Sequence, residues 1–202
     1  KDTTVVYPFA NLCTSLKTSQ VTSLNLSECE LGSNDLAELA KYVRDATAAV
    51  TWVSVLSNPI GDGADALIEI FEKNDKIQTL LGLEEGVQVL DLSNKHMDPG
   101  QTKILAAEIR LRRFTAALTS ITLDGQPLSG TTLDYSYIEP KIIDVDADLS
   151  CFKLLCEAMA SSQIEVVSMK SCYLGPQALT SLADAIKLMA AVARLILDDN
   201  PL

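Results

Sequence analysis

Residues 21–31 read VTSLNLSECEL, with apolar side chains at offsets 0, 3, 5 and 10 from Val21 and a cysteine at offset 8. This spacing occurs six times along the chain, and we call each occurrence a copy of the frame. The copies begin at Val21, Val50, Val87, Leu118, Ile164 and Val192. Their offset-8 residues are, in the same order, Cys29, Asn58, Lys95, Gln126, Cys172 and Asn200. Such a repeated pattern predicts an array of stacked structural units.

Each copy predicts a short strand, a turn and a helix. Side chains alternate along a strand, so the residues at offsets 3 and 5 point together into the core. An Asn or Cys at offset 8 can bond the backbone of the buried turn, whose polar groups would otherwise lack partners. Apolar residues at helical spacing follow, as in Leu36, Leu39 and Val43, and Asp98-Pro99 has the composition of a helix start. Units of this kind stack into a parallel sheet with the helices outside it.

Several phrases of the sequence are similar to those of a known family. DGQPL at 124–128, DDNPL at 198–202 and the small-residue segments ADALI at 64–68 and QALTSLADAI at 177–186 resemble the ribonuclease-inhibitor-like subfamily of leucine-rich repeat proteins. The resemblance covers about residues 21–128 and 164–202. It implies an α/β fold, namely a leucine-rich repeat solenoid (horseshoe) with parallel strands on the concave face and helices on the convex face. We expect one such domain over residues 1–202.

Three segments depart from the frame. Residues 1–20 keep helical spacing without a strand, which predicts a helical cap or the end of a preceding unit. Insertions lie near 76–86 and in 129–163, where the intervals between copies lengthen to 37 and 46 residues. We interpret the later part of the second insertion as a degenerate unit with Ile143 and Val145 in its strand, and a functional loop is the alternative. The chain stops at offset 10 of a copy, and this predicts a piece of a longer protein because terminal units need capping.

Composition narrows the choice of partners. The formal net charge is −11, with 27 acidic against 16 basic residues. Acidic surfaces repel phosphate backbones, so we expect no nucleic-acid partner. The sequence has no apolar stretch of membrane-spanning length, so we expect no membrane partner either. Five cysteines without tight spacing do not form a disulfide framework, and free cysteine suits a reducing compartment, so we expect a cytoplasmic protein.

Two motifs have the composition of ligand sites. Gly61-Asp62-Gly63 precedes a predicted helix, as in the G-x-G-x-x-A phrase of dinucleotide-binding loops. Other copies place turn residues at the same positions, so we expect no cofactor. Asp144, Asp146 and Asp148 alternate like the first ligands of a calcium loop, but leucine occupies both the Gly and the Glu positions that such a loop requires. We therefore predict a solvated acidic strand face and no metal site.

The remaining reactive residue types also have structural explanations. His96 is the single histidine, so any catalytic pair with Ser or Cys would have to include it, and its place in a turn indicates a surface residue. Cys29 and Cys172 share offset 8, which indicates buried turn residues rather than nucleophiles or metal ligands. We interpret the Arg110–Arg113 cluster as a solvated helix end that favours the helix dipole, with a docking patch for an acidic partner as the alternative.

Residues at offsets 2, 4 and 7 are predicted to point outward on the concave face, and most are small and polar. We expect partner contacts from Asn25, Trp52, Ser54, Val89, Asp91, Thr122, Ser168, Arg194 and Ile196. Trp52 is the single tryptophan, and tryptophan is enriched at interface hot spots. The alternative for Trp52 is packing under a flanking loop, such as the insertion near 76–86.

The array, the acidic surface and the lack of a catalytic set predict a non-enzymatic scaffold or adaptor. It would bind a protein partner on the concave face, with no cofactor and no small-molecule substrate. The resemblance leaves other functions open, because the subfamily includes enzyme inhibitors, nucleotide-sensing immune receptors, GTPase activators and cytoskeletal or ciliary scaffolds. The alternatives are therefore a GTPase-activating regulator of the Ran-activating type and a purely structural module of a large assembly.

Overall fold

The computed structural model describes residues 8–45, 50–134, 136 and 141–201. The helices in these ranges are α1 (Pro8–Leu16), α2 (Ser33–Asp45), α3 (Ala64–Lys73), α4 (Pro99–Leu111), α5 (Ser150–Ala160) and α6 (Pro176–Ile186). The strands are β1 (Ser23–Asn25), β2 (Trp52–Ser54), β3 (Val89–Asp91), β4 (Ser120–Thr122), β5 (Thr132–Asp134), β6 (Lys141–Asp144), β7 (Val166–Ser168) and β8 (Arg194–Ile196). A short 3-10 turn, Gly61–Gly63, leads into α3.

The strands and helices form two layers. β1 pairs with β2, and the order β3-β4-β7-β8 forms a second sheet, with all of these strands parallel. Each helix packs against the next one along the chain. This alternation confirms the predicted α/β class and the strand, turn, helix unit. In residues 1–20, α1 occupies residues 8–16, and whether this segment is a cap or the end of a preceding unit stays a prediction.

The core lies between the two layers. The strand layer contributes the offset 3 and 5 side chains of the four central copies, which are Val53, Val55, Leu90, Leu92, Ile121, Leu123, Val167 and Met169. Leu39, Phe71, Ile104 and Phe152 close the core from the helix layer and have no exposed surface. Burial of each such side chain stabilises the fold by about 1.5–3 kcal/mol. The alternation predicted for the strands is therefore confirmed in these copies.

In three copies, an amide side chain at offset 8 joins the copy to the one before it. The Asn58 Oδ1 accepts the backbone N–H groups of Cys29 and Leu31, both at 3.0 Å, and its Nδ2 donates to the Leu26 carbonyl at 2.8 Å. Asn200 repeats the arrangement with the N–H of Leu174 and the carbonyl of Met169. Gln126, which departs from the Asn or Cys of other copies, makes the same kind of link through its longer side chain. These bonds confirm the role predicted for the position.

The residue at offset 7 has a left-handed backbone in all six copies. Its φ is between 54° and 74° in Glu28, Ser57, Asn94, Gly125, Ser171 and Asp199. Most residue types adopt this conformation rarely, and it bends the chain sharply out of the strand. At Gly125 a side chain is also excluded by space, because a Cβ there would lie 2.2 Å from the Asn94 Oδ1.

The insertion near 76–86 interrupts the strand layer. Its Thr79 and Leu81 bridge to β2, so that β2 and β3 belong to different sheets. Ile77, Leu80, Leu81 and Leu83 are buried, with no more than 4% of their surface exposed. The insertion is therefore a part of the core rather than a surface loop.

Glu108 of α4 holds this insertion from the inside. Its Oε1 accepts the backbone N–H of Leu80 at 2.6 Å and of Leu81 at 2.8 Å, and the Thr79 hydroxyl donates to it at 3.0 Å. Burial raises the pKa of Glu108 to about 7, although these donors and Arg113 act in the opposite direction. The Glu108 carboxyl group thus accepts hydrogen bonds from backbone N–H groups that a neighbouring strand would bond in an unbroken sheet.

The second insertion is a hairpin and not a degenerate unit. β4 pairs directly with β7, while β5 and β6 pair antiparallel in a separate two-stranded sheet. The predicted strand residue Ile143 lies in β6, but it is 68% exposed, and Val145 lies beyond the strand. α5 is instead the helix of the copy that begins at Leu118. The prediction was wrong because apolar alternation in 141–145 reflects a ribbon that projects from the turn. Tyr135 and Tyr137 lie outside the described residues.

Candidate functional site

In the described ranges, one face of the four-stranded sheet has no helix packed against it and presents partly exposed side chains, and we call it the strand face. Its side chains form two cross-strand rows, because the strands are in register. The first row is Val89, Ser120, Val166 and Arg194, and the second is Asp91, Thr122, Ser168 and Ile196. Five of the nine predicted contact residues, Val89, Asp91, Thr122, Arg194 and Ile196, are brought together here with at least part of their surface exposed.

The centre of the strand face is shallow, because its side chains are small. Ser168 is only 5% exposed, and its hydroxyl donates to the Asp124 Oδ1 at 2.6 Å. The same oxygen accepts the backbone N–H of Lys170 at 2.9 Å. Asp124 is thereby fixed across the end of β7, and Ser168 lies too deep to be a first point of contact. Ser168 is covered by Asp124, and a partner contact by Ser168 stays a prediction.

Val89 lies in the first row of the strand face, beside these small side chains. It is 66% exposed, although it lies within a strand whose next residue, Leu90, is buried. Just beyond the end of this strand, the Ser93 hydroxyl and backbone N–H donate to the Asp91 carboxylate at 2.6 and 2.9 Å. These two bonds hold the pKa of Asp91 below its usual value, so Asp91 carries a fixed negative charge beside the apolar Val89.

Acidic groups surround the strand face. Glu84 and Glu85 are exposed in the turn that leads towards β3. Asp199 is exposed at the opposite end, where it lies 3.3 Å from the Lys170 ammonium group. Arg194 is the exposed cation of the first row. Glu84, Glu85 and Asp91 thus place three carboxylates within five residues of Val89 along the chain, with Lys95 as the cation that acts on Asp91.

Trp52 lies beneath the insertion near 76–86. Its indole Nε1 donates to the Leu83 carbonyl at 3.0 Å, and a Cβ on Gly82 would lie 2.8 Å from its ring. Only part of the Trp52 surface is left exposed. The adjacent Ser54 is 4% exposed and shares a 2.7 Å hydrogen bond with Ser27. It therefore lacks the exposed surface that was expected of it. Asn25 is exposed on β1, away from the four-stranded sheet. A partner contact by Trp52, Ser54 or Asn25 stays a prediction.

The glycines of the dinucleotide-like phrase serve close packing between copies. A Cβ on Gly63 would lie 2.8 Å from the Ser33 Cα, so the residue lets α3 approach α2. The Gly61 N–H donates to the Asp98 Oδ2 at 2.7 Å, and this bond ties the turn to the start of the next helix. The expectation that these are turn positions of the array agrees with both contacts.

Asp146 is a helix cap, and its predicted place on a solvated acidic face was wrong. It is 7% exposed, and its carboxylate accepts the backbone N–H groups of Gly175, Gln177 and Ala178 at 2.8–3.0 Å. Burial acts to raise the pKa of Asp146, but these bonds at the positive end of α6 hold it below its usual value. Asp144 is exposed. No cluster of three metal-ligating side chains occurs in the described ranges.

The cysteines and arginines of the candidate list divide between surface and interior. Cys172 is buried as predicted, and burial raises the pKa of its thiol to about 12. Cys29 is exposed, contrary to the prediction, because β1 is the edge strand of its sheet. Arg113 is not a solvated helix end: it lies 4.4 Å over the Phe71 ring and donates to the carbonyls of Asn74 and Ile77. His96 is an exposed turn residue, as predicted.

The chain is similar to known proteins at the level of solved structures. No protein-family model matches the chain, and the curated proteins contain no match. Among solved structures, the chain is similar to a tropomodulin C-terminal domain of Caenorhabditis elegans, with 14% sequence identity and a TM-score of 0.40. The alignment covers 89% of this chain and 92% of that one. None of the helices in the described ranges is long and apolar enough to cross a membrane.

Proposed function

We propose that the chain is a leucine-rich repeat solenoid that acts as a non-enzymatic interaction module and binds a protein partner on its strand face. The bare face of the parallel sheet carries this proposal. Parallel sheets are almost always covered on both faces, whereas the helices here cover only one. A face of small side chains next to a protruding Val89 offers a partner both apolar contact and accessible polar groups.

The chemistry of the face favours a partner segment that is basic and partly apolar. Asp91, Glu84 and Glu85 lie close to Val89 in the chain, and their charges would be complementary to Lys or Arg beside an apolar anchor. The same charges disfavour nucleic acid. Val89 replaces Trp52 as the proposed centre of the contact, because Trp52 is engaged with the insertion.

The Val89→Asp variant tests this proposal. Val89 contributes little to the core, so the variant should fold, but it should weaken partner binding by about tenfold or more through a lost apolar contact. Ile143→Asp is the matched control, since Ile143 is 68% exposed on the hairpin and away from the strand face. Partners recovered by affinity purification with the unaltered chain would be purified, and their affinity for all three chains measured by calorimetry.

Equal affinity of the Val89→Asp and Ile143→Asp chains for every recovered partner would contradict the proposal. A Trp52→Phe chain, which removes the indole N–H and shortens the aromatic side chain, tests whether Trp52 belongs to the contact. We expect its affinity to match that of the unaltered chain, because Trp52 supports the insertion rather than the contact.

A further inference from the structure

A groove of about 740 Å³ runs between α2 and α3 on the outer side of the helix layer, away from the strand face. The inward residues of these helices, such as Leu39 and Phe71, belong to the core. The groove lies on the other side of these helices, where Ala40 is buried at the floor and Ala66 and Ile70 are partly buried. It therefore opens to solvent without weakening the core beneath it.

Small side chains create the groove. At the start of α3, Gly63 brings the two helices into close approach, with the Ser33 backbone within 2.8 Å of where a Cβ would be. Further along, the facing positions are Ala37, Ala40 and Ala66, which are too short to fill the space between the helix axes. Ile70 completes an apolar floor.

Cations line this floor, in contrast to the rest of the acidic chain. The rim contains Lys41 and Arg44 from α2, and Lys73 and Lys76 from the end of α3 and the residues after it, against Glu69 and Asp75. Four of the 16 basic residues of the chain thus border one groove. The groove is locally positive, whereas the strand face is negative.

The helix dipole accounts for only part of this arrangement. Arg44 and Lys73 lie in the last turns of their helices, where cations are favourable. Lys41 lies before the last turn of α2, and Lys76 lies beyond the end of α3. Lys41 and Lys73 pair with Glu38 and Glu69 in exposed pairs along single helices, which contribute little to stability and can exchange for other carboxylates.

We propose that this groove docks an acidic amphipathic α-helix of a partner protein. An apolar stripe on that helix would pack on the floor of Ala40, Ala66 and Ile70, while its Glu or Asp residues would pair with the lysines of the rim. The apolar residues lie at the bottom of a groove and do not protrude. This shape fits a convex helix, and it does not fit a lipid surface, which requires protruding apolar side chains.

The proposed docking groove is separate from the strand face in place and in sign of charge. A protein with both sites would bridge two partners, one basic at the strands and one acidic at the helices. The two proposals fail independently, since Val89→Asp tests only the first and charge reversal in the groove tests only the second.

The test uses a designed probe and the full 202-residue chain. The probe is a blocked helical peptide of about 18 residues with Leu on one face and Glu on the other, and its matched control carries Lys in place of Glu. Methyl NMR spectra should show shifts at Ala37, Ala40, Ala66 and Ile70 with the Glu peptide. The Lys peptide should leave these methyls unchanged, and added salt should weaken binding of the Glu peptide.

Two kinds of variant locate the interaction. Lys41→Glu combined with Lys73→Glu should lower the affinity for the Glu peptide by about tenfold or more, because it reverses the rim. Ala37→Phe should also block binding, since Ala37 is exposed and a larger side chain there fills the groove without entering the core. Lys153→Glu combined with Lys187→Glu is the control at exposed positions elsewhere on the helix layer, and it should leave the affinity unchanged.

Three results would overturn the proposal. The first is a Glu peptide that does not shift the groove methyls. The second is an affinity that survives reversal of Lys41 and Lys73. The third is binding of mixed phosphatidylserine and phosphatidylcholine vesicles with the same dependence on these lysines, which would assign the groove to an anionic lipid surface instead.

Discussion

Asn58 joins two copies of the frame through one side chain. It accepts two backbone N–H groups of the preceding turn and donates to three carbonyls. Asn58→Ala leaves these buried groups without partners, so we expect it to lower the free energy of unfolding by about 2–4 kcal/mol. Urea unfolding followed by circular dichroism measures the loss.

Asn25→Ala is the matched control for Asn58→Ala. Its side chain accepts a single exposed N–H, that of Ser27 at 3.0 Å, so the change should stay within about 0.5 kcal/mol. Losses of equal size in the two variants would show that the offset-8 amide does not hold the copies together.

Glu108 should make the stability of the fold depend on pH. Its pKa rises from 4.5 to about 7 on folding, so the protonated form is the one that the fold favours. This contribution is fully present below about pH 4.5 and is lost as the pH rises through about 7. Relative to Glu108→Gln, the unaltered chain should gain on the order of 2 kcal/mol between pH 7.5 and pH 5.

Urea unfolding of both chains at the two pH values checks this prediction. Glu69→Gln supplies a control of opposite sign, because Lys73 holds the pKa of Glu69 below its usual value in an exposed pair. The contribution of Glu69 is lost as the pH falls. A constant difference between the unaltered chain and Glu108→Gln would mean that the buried carboxyl does not take up a proton in this range.

Among the secondary-structure elements, the hairpin of β5 and β6 should be dispensable for folding. β4 bonds β7 directly, and the ends of the hairpin are already held together by the 3.1 Å bond from the Asp146 N–H to the Thr131 hydroxyl oxygen. Replacement of residues 132–144 by Asn-Gly should change the free energy of unfolding by about 1 kcal/mol or less, because loop length has a small effect on stability.

The insertion near 76–86 provides the contrasting deletion for the same urea measurement. Its removal takes away four buried apolar side chains, each worth about 1.5–3 kcal/mol, and should unfold the chain. Comparable tolerance of both deletions would contradict the assignment of one segment to the surface and the other to the core.

The two insertions also show which elements could be predicted from the sequence and which could not. Strands and helices recur with the frame, because its apolar offsets follow directly from alternation and helical spacing. Gln126 lies outside the Asn or Cys pattern expected at offset 8, yet it makes the same kind of link as Asn58, since an amide with one more methylene still reaches the turn. The pairing of Thr79 with β2 depends on Glu108, which lies 29 residues further on, and a local pattern cannot predict it.

For the whole molecule, the sequence predicted which face of the sheet the helices leave uncovered, but not which side chains of that face are exposed to a partner. Offsets 2 and 4 do lie on the strand face, yet Ser54 and Ser168 are covered by neighbours from other copies. Trp52 was singled out by residue type, whereas Val89 is the large side chain that stands free. Val89 was already among the predicted contact residues, and its signal was an apolar type at offset 2, which other copies fill with Ser, Trp, Val or Arg. Contacts in which a residue of one copy covers a residue of another leave no such signal in the sequence.

The break between β2 and β3 has a mechanical consequence. Within each sheet, backbone ladders resist bending, but across the break the copies are joined by side chains, such as Gln101 to the Val55 carbonyl at 3.0 Å and Ser57 to the Lys95 carbonyl at 2.9 Å. We therefore expect the molecule to bend more easily between β2 and β3 than within either sheet. A force that pulls two bound partners apart would open the array beside Val89 before it strained either sheet.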